Sequence, residues 1–402
     1  MKKLLRTIRI KKVVVGLSGG VDSAVAASRL VDAGYQVTAV FLECYQGPGC
    51  RTQEDRKDAL DIALKLNVPF QVLDLKKPYH DKVVDYFFKE YQAGRTPNPD
   101  TICNRDIKFG LFYDWAMDKG FDYVATGHYA RIKVKSPVED EARLWRQKSK
   151  VKNTTKNSKN NNEKNYELRT TPYELLRGID EHKDQSYFLY LLRQEQLSHL
   201  LFPVGESTKT EVRKEAQQRG LSVAAKPDSQ GICFIGEVNV RKFLGSRIKP
   251  KKGRVITKKG QPIGEHDGVW FFTIGQRGGW RLSPSYQRVF SGSLPPLYII
   301  RKNVSKNELI IGLKEDCYQD KLSISNVHWL HEDIESRITN HELRDLKVKI
   351  RHQGELIPVK SISVIQNSKF LLQLAKRAFG VAPGQACVFY DREVCLGGGT
   401  IR

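Results

Sequence analysis

Apolar residues in the first third of the chain fall into short blocks whose period alternates between strand and helix. Val13-Val14-Val15 is a continuous apolar run closed by Gly16, which predicts a strand covered on both faces. Val21, Ala24, Val25 and Ser28 then recur at helical spacing, with Gly34 as the stop. A strand is predicted over 36–42, Thr52 can cap a second helix with Ala59, Ile62, Ala63 and Leu66 on one face, and Pro69 ends it before a strand at 70–75. Val84, Phe87, Phe88 and Tyr91 mark a further helix, Ile107, Leu111 and Trp115 another that Asn104 can cap, and Tyr123-Val124-Ala125-Thr126 reads as a strand. Strand and helix in turn predict a parallel sheet covered by helices, with ligands at the carboxyl ends of its strands. Beyond about residue 243 the pattern changes to short β-rich runs such as Leu297-Tyr298-Ile299-Ile300, Glu308-Leu309-Ile310-Ile311 and Ala386-Cys387-Val388-Phe389-Tyr390, separated by turn residues. Antiparallel β structure follows, a small barrel or a sandwich.

Charge adds a partner class to this outline. The 402 residues carry 67 Lys and Arg against 45 Asp and Glu, a net +22, which suits a polyanion, nucleic acid first. A Lys/Asn/Ser-rich stretch near 133–165 has no apolar period and reads as a surface insertion, a solvated loop able to brush RNA phosphates. Seven cysteines without a CxxC pair do not form a secreted disulfide framework. Cys44 and Cys50, or Cys387 and Cys395, lack the tight spacing of a structural zinc site, so no structural metal is expected. Met1-Lys2-Lys3-Leu4-Leu5-Arg6 has no apolar core of signal-peptide length, and no segment approaches a membrane span; a cytoplasmic location is expected.

Three segments carry candidate chemistry. Gly16-Leu17-Ser18-Gly19-Gly20-Val21-Asp22-Ser23 joins the valine strand to a helix, where small residues, two hydroxyls and the helix N-terminus form a cradle for an anion. No GK[ST] follows, so it is not a Walker loop. Pro97 and Pro99 predict a loop around Cys103, where a following helix N-terminus, Arg105 and Lys108 would lower the thiol pKa; a nucleophile and a buried apolar cysteine both fit. Cys233 lies in a second Pro/Gly-rich loop between Gly231 and Gly236, a setting suited to sulfur delivery.

The SGGVDS string resembles the loop of ATP pyrophosphatases, and the whole chain resembles the tRNA-specific 2-thiouridylase family. The resemblance rests on GLSGGVDSAVAA at 16–27, NPDTICNRDIKFG at 98–110, ATGHYAR at 125–131, KDQSYFLY at 183–190, KPDSQGICFIG at 226–236, GEHDGVWFFTIGQR at 264–277 and PGQACVFYDREVCLGGGTI at 383–401. It implies an α/β fold: an adenine-nucleotide α-hydrolase-like (ATP pyrophosphatase) domain at 1–242, a small β-rich central domain at 243–294 and a C-terminal antiparallel β-barrel at 295–402. It further implies ATP at Gly16 to Ser23 with Leu42 and Gly127, the target base at Asn98, Pro99 and Asp100, and tRNA at Lys183, Asp184, Gln185, Arg351 and His352. Cys103 would be the nucleophile and Cys233 the persulfide carrier, the pair forming a transient disulfide. The implied reaction adenylylates the C2 oxygen of the wobble uridine (position 34) and transfers sulfur, releasing AMP and pyrophosphate, with Mg²⁺ on the phosphates near Asp22. Implied partners are tRNAs for lysine, glutamate and glutamine, and a sulfur-relay protein or cysteine desulfurase. Without the resemblance, Lys183-Asp184-Gln185 suits an exposed turn, Arg351 and His352 an exposed strand face, and His128 a hydrogen-bonded structural role rather than a general base. The family pattern has a tyrosine where this chain has His352, and 279–296 follows it poorly. Another adenylylating pyrophosphatase, or an RNA-binding protein with a vestigial nucleotide site, are the competing functions; neither calls for a pair of thiols.

Overall fold

The computed structural model describes residues 9–47, 50–134, 173–228, 233, 235, 239–288, 295–340, 342–343, 345–365 and 369–402. The Lys/Asn-rich insertion from 135 onward, and the glycines flanking Cys233, lie outside these described residues.

Five parallel strands form the first sheet: β1 (Lys12–Gly16), β2 (Gln36–Glu43), β3 (Phe70–Asp74), β4 (Tyr123–Ala125) and β7 (Leu200–Leu201), in the order β3-β2-β1-β4-β7. The valine run makes β1 central because Val13, Val14 and Val15 are fully buried from both faces. The chain leaves β1 toward β2 on one side and β4 lies on the other, so the strand order reverses at the carboxyl end of β1. Helix α1 (Val21–Asp32) buries Val21, Ala24, Val25 and Ser28 as its spacing predicts, and Gly34, at φ +79°, turns the chain behind it. In α2 (Thr52–Lys65), Ala59, Ile62 and Ala63 face the sheet; Thr52 is its first residue and sends its hydroxyl to the Tyr45 carbonyl, 2.8 Å, instead of capping.

The central sheet has the order β10-β9-β8-β12-β11, built from β8 (Gly253–Thr257), β9 (Pro262–His266), β10 (Arg281–Leu282), β11 (Tyr298–Asn303) and β12 (Glu308–Gly312). The boundary expected at 294/295 is therefore corrected. Both 298–303 and 308–312 belong to the central unit, because Glu308 to Ile311 pair in parallel with Arg254 to Thr257 and their side chains close a core with Val255, Ile263 and Phe272.

The barrel is antiparallel and runs β13 (Tyr318–Trp329), β16 (Lys369–Phe379), β15 (Ile357–Ile365), β14 (Leu346–Lys349), β17 (Ala386–Asp391), β18 (Val394–Ile401) and back to β13. It closes as a barrel rather than a sandwich, which removes its edges. A hairpin of the first domain, β5 (Ala130–Val134) and β6 (Tyr173–Arg177), joins this sheet through Leu175 and Leu176 against Cys395 and Val394.

Candidate active site

The glycine cradle sits at the reversal point. Gly19 adopts φ +73°, and a Cβ there would stand 2.2 Å from the Asp55 carbonyl oxygen, so both conformation and space demand glycine. Ser23 ties the loop together: its hydroxyl accepts the Ser18 N–H at 3.1 Å and donates to the Gly20 carbonyl at 3.0 Å. No side chain caps α1, so its first N–H groups point into the cradle without a protein acceptor from the N-cap. Gly127, just past β4, presses on that turn; a Cβ there would lie 2.6 Å from the Ser23 nitrogen. Leu42 is buried near the end of β2, beside the same strand ends.

Asp22 leans away from the loop into a charged cluster. Its carboxylate accepts from the Tyr129 hydroxyl at 2.7 Å and from Lys209 Nζ at 2.7 and 2.8 Å. Lys209 also lies 2.8 Å from Asp228, which in turn pairs with Lys183 and Arg213 and is held down to about 2 against the pull of burial by hydrogen bonds from Lys183 and Lys209. Lys226 donates to the Gly19 carbonyl at 2.8 Å and to Asp55 at 2.7 Å. The segment that leads to Cys233 is thereby anchored on the cradle.

The thiol site is built on a short helix, Pro99–Cys103. The loop expected here is corrected: Asn98 caps the helix, its Oδ1 accepting the Thr101 N–H at 3.4 Å, and Pro99 occupies the first helical position, where a missing N–H costs nothing. The chain continues without a break into wide π turns over Asn104–Leu111. Cys103 is therefore not at a helix N-terminus, and it is fully buried. Its Sγ lies 3.7 Å from Cys233 Sγ, donating to it. The Cys233 backbone is fixed from two sides, its N–H on Asp100 Oδ1 at 2.9 Å and its carbonyl under the Tyr79 hydroxyl.

This geometry reverses the expected division of acidity. Burial, then the neighbouring Cys233 sulfur, pushes the Cys103 thiol well above its ordinary value. The Cys103 hydrogen bond, followed by the Lys108 ammonium, outweighs burial at Cys233 and brings that thiol down to about 7. The thiolate of the pair belongs on Cys233, with Cys103 as its S–H donor. Cys44 is a third buried thiol facing Cys233, raised first by burial.

A cavity of about 250 Å³ opens at the start of the Pro99–Cys103 helix, lined by Asn98, Pro99, Asp100, Phe188, His352 and Gln385 among others, with neither Cys103 nor Cys233 in its lining. The three residues expected at the target base thus share a wall with His352, whose ring lies 4.4 Å from that of Phe188. Burial, then Lys349, lowers the His352 pKa to about 4, so this imidazole is neutral at physiological pH. Arg351 is exposed and donates to the Phe379 and Gly380 carbonyls at 2.9 and 2.7 Å.

Lys183, Asp184 and Gln185, expected at the tRNA, are each held by protein partners. Asp184 is buried, with Oδ2 on Arg177 and Lys349 and Oδ1 on the N–H groups of Gly178 and Ser186, so this carboxylate joins barrel to first domain. Gln185 Oε1 accepts the Tyr129 N–H at 3.0 Å, and Lys183 is spent on Asp228. His128 takes the structural part: it is buried, 2.7 Å from the Thr126 hydroxyl, and burial holds it neutral. Among the described residues His80, Asp81 and Asp85 could cluster on a metal, but Arg247 lies 2.7 Å from Asp85 and supplies a cation already.

Three domain families match along the chain in order: the tRNA methyl transferase HUP domain over 11–237, the tRNA methyl transferase PRC-barrel domain over 241–313 and the aminomethyltransferase beta-barrel domain over 319–401. The tRNA-specific 2-thiouridylase MnmA of Streptococcus thermophilus is 38% identical over 400 residues, covering 97% of this chain and 95% of its own. That of Streptococcus uberis is 38% identical over 404 residues with the same coverage. This chain belongs to the tRNA-specific 2-thiouridylase family. Among solved structures, the U34-tRNA thiolase NcsA of Methanococcus maripaludis aligns with 59% of this chain and 63% of its own at 16% identity and TM-score 0.33, too loose a match to bear on the site. Within the 2-thiouridylase frame, the residue of this cluster that sequence reasoning missed is Lys209. It reaches Asp22 from 187 positions away, and no local signal in the sequence points to it.

Proposed function

We propose that this protein is a tRNA-uridine 2-sulfurtransferase that thiolates the wobble uridine at C2, using ATP to adenylylate the C2 oxygen and a persulfide on Cys233 to replace it. The observation that carries the reading is the Cys103–Cys233 pair, 3.7 Å apart, linked to a base-sized cavity through Asp100, which lines the cavity and holds the Cys233 N–H.

A uridine C2 oxygen is a poor leaving group, so it is first bonded to the α-phosphorus of ATP as pyrophosphate departs. The free N–H groups of α1 and the Lys209 ammonium suit the phosphates and the developing charge. Asp22 supplies one carboxylate near them, which fits a Mg²⁺ held chiefly by phosphate oxygens and water. The terminal sulfur of the Cys233 persulfide then forms a bond to C2, and AMP leaves with the oxygen. The Cys103 sulfur, once it gives up its proton, attacks Cys233 Sγ; the sulfur–sulfur bond to the base breaks, its electron pair stays on the C2 sulfur, and the Cys103–Cys233 disulfide remains. A thiol reductant and a fresh persulfide donor, a sulfur-relay protein or cysteine desulfurase, restore the enzyme.

His352 and Phe188 offer ring faces for the base, and Asn98 and Asp100 edge groups for its recognition. The exposed Arg351 suits an RNA phosphate, and tRNAs for lysine, glutamate and glutamine are the proposed substrates. The reduced thiols suit the cytoplasm; no helix among the described residues is long and apolar enough to cross a membrane. The test is reconstitution with ATP, Mg²⁺, a persulfide donor and tRNA. Thiolated tRNA, AMP and pyrophosphate in equal amounts are expected, and Cys233→Ser should abolish sulfur transfer while ATP still binds. Thiolation by that variant would remove Cys233 as carrier.

A further inference from the structure

The chain enters the helix that carries Asp100 and Cys103 through Thr96, Pro97, Asn98 and Pro99, and neither proline has an N–H with which to anchor it. The anchor is Thr96, and it is held from outside its own domain. Its N–H donates to the Pro383 carbonyl at 2.8 Å and its carbonyl accepts from Gln385 Nε2 at 3.0 Å, both in the turn that leads into β17 of the barrel. Gln385 Nε2 also reaches the Pro97 carbonyl, at 2.9 Å. From the central domain, the Thr273 hydroxyl lies 3.2 Å from the Thr96 hydroxyl. Val304 of the same domain presses on the turn just before, where a Cβ on Gly94 would stand 2.2 Å from its Cγ2. Each of the three polar groups of Thr96 is thus bonded to another domain. Gly384, at φ +95°, lets the barrel turn come this near, since a Cβ on it would stand 2.8 Å from the Thr96 carbonyl oxygen.

The residues that follow Thr96 face the reaction. Pro97, Asn98, Pro99 and Asp100 all line the cavity, and Asp100 Oδ1 holds the Cys233 N–H at 2.9 Å. Resting on the thiolation reading, we infer that Thr96 is a positioning residue for sulfur transfer, through which the central domain and the barrel set where Asp100, and with it Cys233, stands relative to the base. The link is short and stiff: two of the three residues between Thr96 and Asp100 are prolines with fixed φ, and Asn98 between them is held as the cap of Thr101. A displacement at Thr96 is therefore passed on to Asp100 rather than absorbed.

The test is single-turnover thiolation by the full, persulfidated chain with ATP, Mg²⁺ and saturating tRNA, alongside equilibrium binding of tRNA and of ATP. Thr96→Val keeps the side-chain shape and removes the bond to Thr273, while Gly384→Ala presses on the Thr96 carbonyl from a position that does not line the cavity. The rate constant should fall roughly tenfold in Thr96→Val and by up to about a hundredfold in Gly384→Ala, the cost of misplacing reacting groups by about 1 Å. Affinities for tRNA and ATP should stay as in the wild type, and Thr96→Ser, which keeps the hydroxyl, should retain most of the rate. Wild-type rate constants in both Thr96→Val and Gly384→Ala overturn the inference and leave the thiolation reading intact. So does a rate loss matched by an equal loss of tRNA affinity, or a Thr96→Ser enzyme no faster than Thr96→Val, since either makes Thr96 a structural contact only. A wild-type chain that does not thiolate tRNA sinks the thiolation reading and this inference together.

Discussion

Replacing Cys103 by alanine should make Cys233 less reactive, although the change removes a competing thiol and opens space beside it. The Cys103 S–H donates to Cys233 Sγ across 3.7 Å, and this bond is the largest contribution holding the Cys233 pKa near 7, against an ordinary thiol value of 9.0. Burial, the second contribution, acts in the opposite direction and survives the substitution; the Lys108 ammonium remains as the main force favouring the thiolate. Losing the donor should therefore raise the Cys233 midpoint, by on the order of the 1.5–3 kcal/mol that a hydrogen bond to a charged group is worth. At pH 7 the thiolate fraction of Cys233, and with it the labelling rate, should fall by roughly tenfold or more. The assay is the pH dependence of iodoacetamide labelling at Cys233, resolved by peptide mass so that Cys44 and Cys50 do not contribute. Cys103→Ser retains a hydroxyl donor and should fall between wild type and Cys103→Ala. A Cys233 midpoint in Cys103→Ala that is unchanged, or lower than in the wild type, would refute the assignment of the thiolate to Cys233.

Other consequences reach the cradle, the cavity and the barrel junction. Gly127→Ala places a methyl 2.6 Å from the Ser23 nitrogen, so ATP affinity should drop at least tenfold with a stability loss of about 1–3 kcal/mol, measured by nucleotide titration and thermal unfolding; unaltered affinity contradicts the role of this close approach. His352→Ala removes a ring from the cavity and should raise the KM for tRNA by a factor of about ten, the value of one stacked base, with no change in ATP affinity. Because His352 titrates near pH 4, it is neutral above pH 5, and wild-type and His352→Phe enzymes should show the same pH profile of tRNA binding from 5 to 8. Asp184→Asn breaks a buried charge cluster with Arg177 and Lys349 and should cost about 3–5 kcal/mol in denaturant unfolding; a tRNA defect without loss of stability would contradict this structural role.

The parts of the site that were legible in sequence are those whose chemistry is local. A valine run, SGGVDS and an amphipathic helix specify the cradle within twenty positions, because the glycines answer a turn and a helix that follow immediately. Asn98 and Pro99 were misread for an equally local reason: proline ends a helix in its interior but opens one at the first position, and Asn98 in front of it was the cap signal. The alternating runs near 298–312 announce strands, yet nothing in them says which sheet they join; pairing with residues 254–257 decides that. Lys-Asp-Gln at 183–185 looks like a surface turn until Lys349, 165 positions away, closes over Asp184. Acidity at the two thiols was likewise unreadable, since one Sγ contact across 130 positions, with the Lys108 ammonium behind it, sets it against burial.

One turnover of persulfidated enzyme tests the central claim most directly. With ATP, Mg²⁺ and unmodified tRNA, and no external reductant, mass spectrometry should find one Cys103–Cys233 cross-linked peptide pair for each wobble uridine that gains sulfur. Uridine thiolated while both cysteines stay free, or cross-linked in other pairings, would contradict the account.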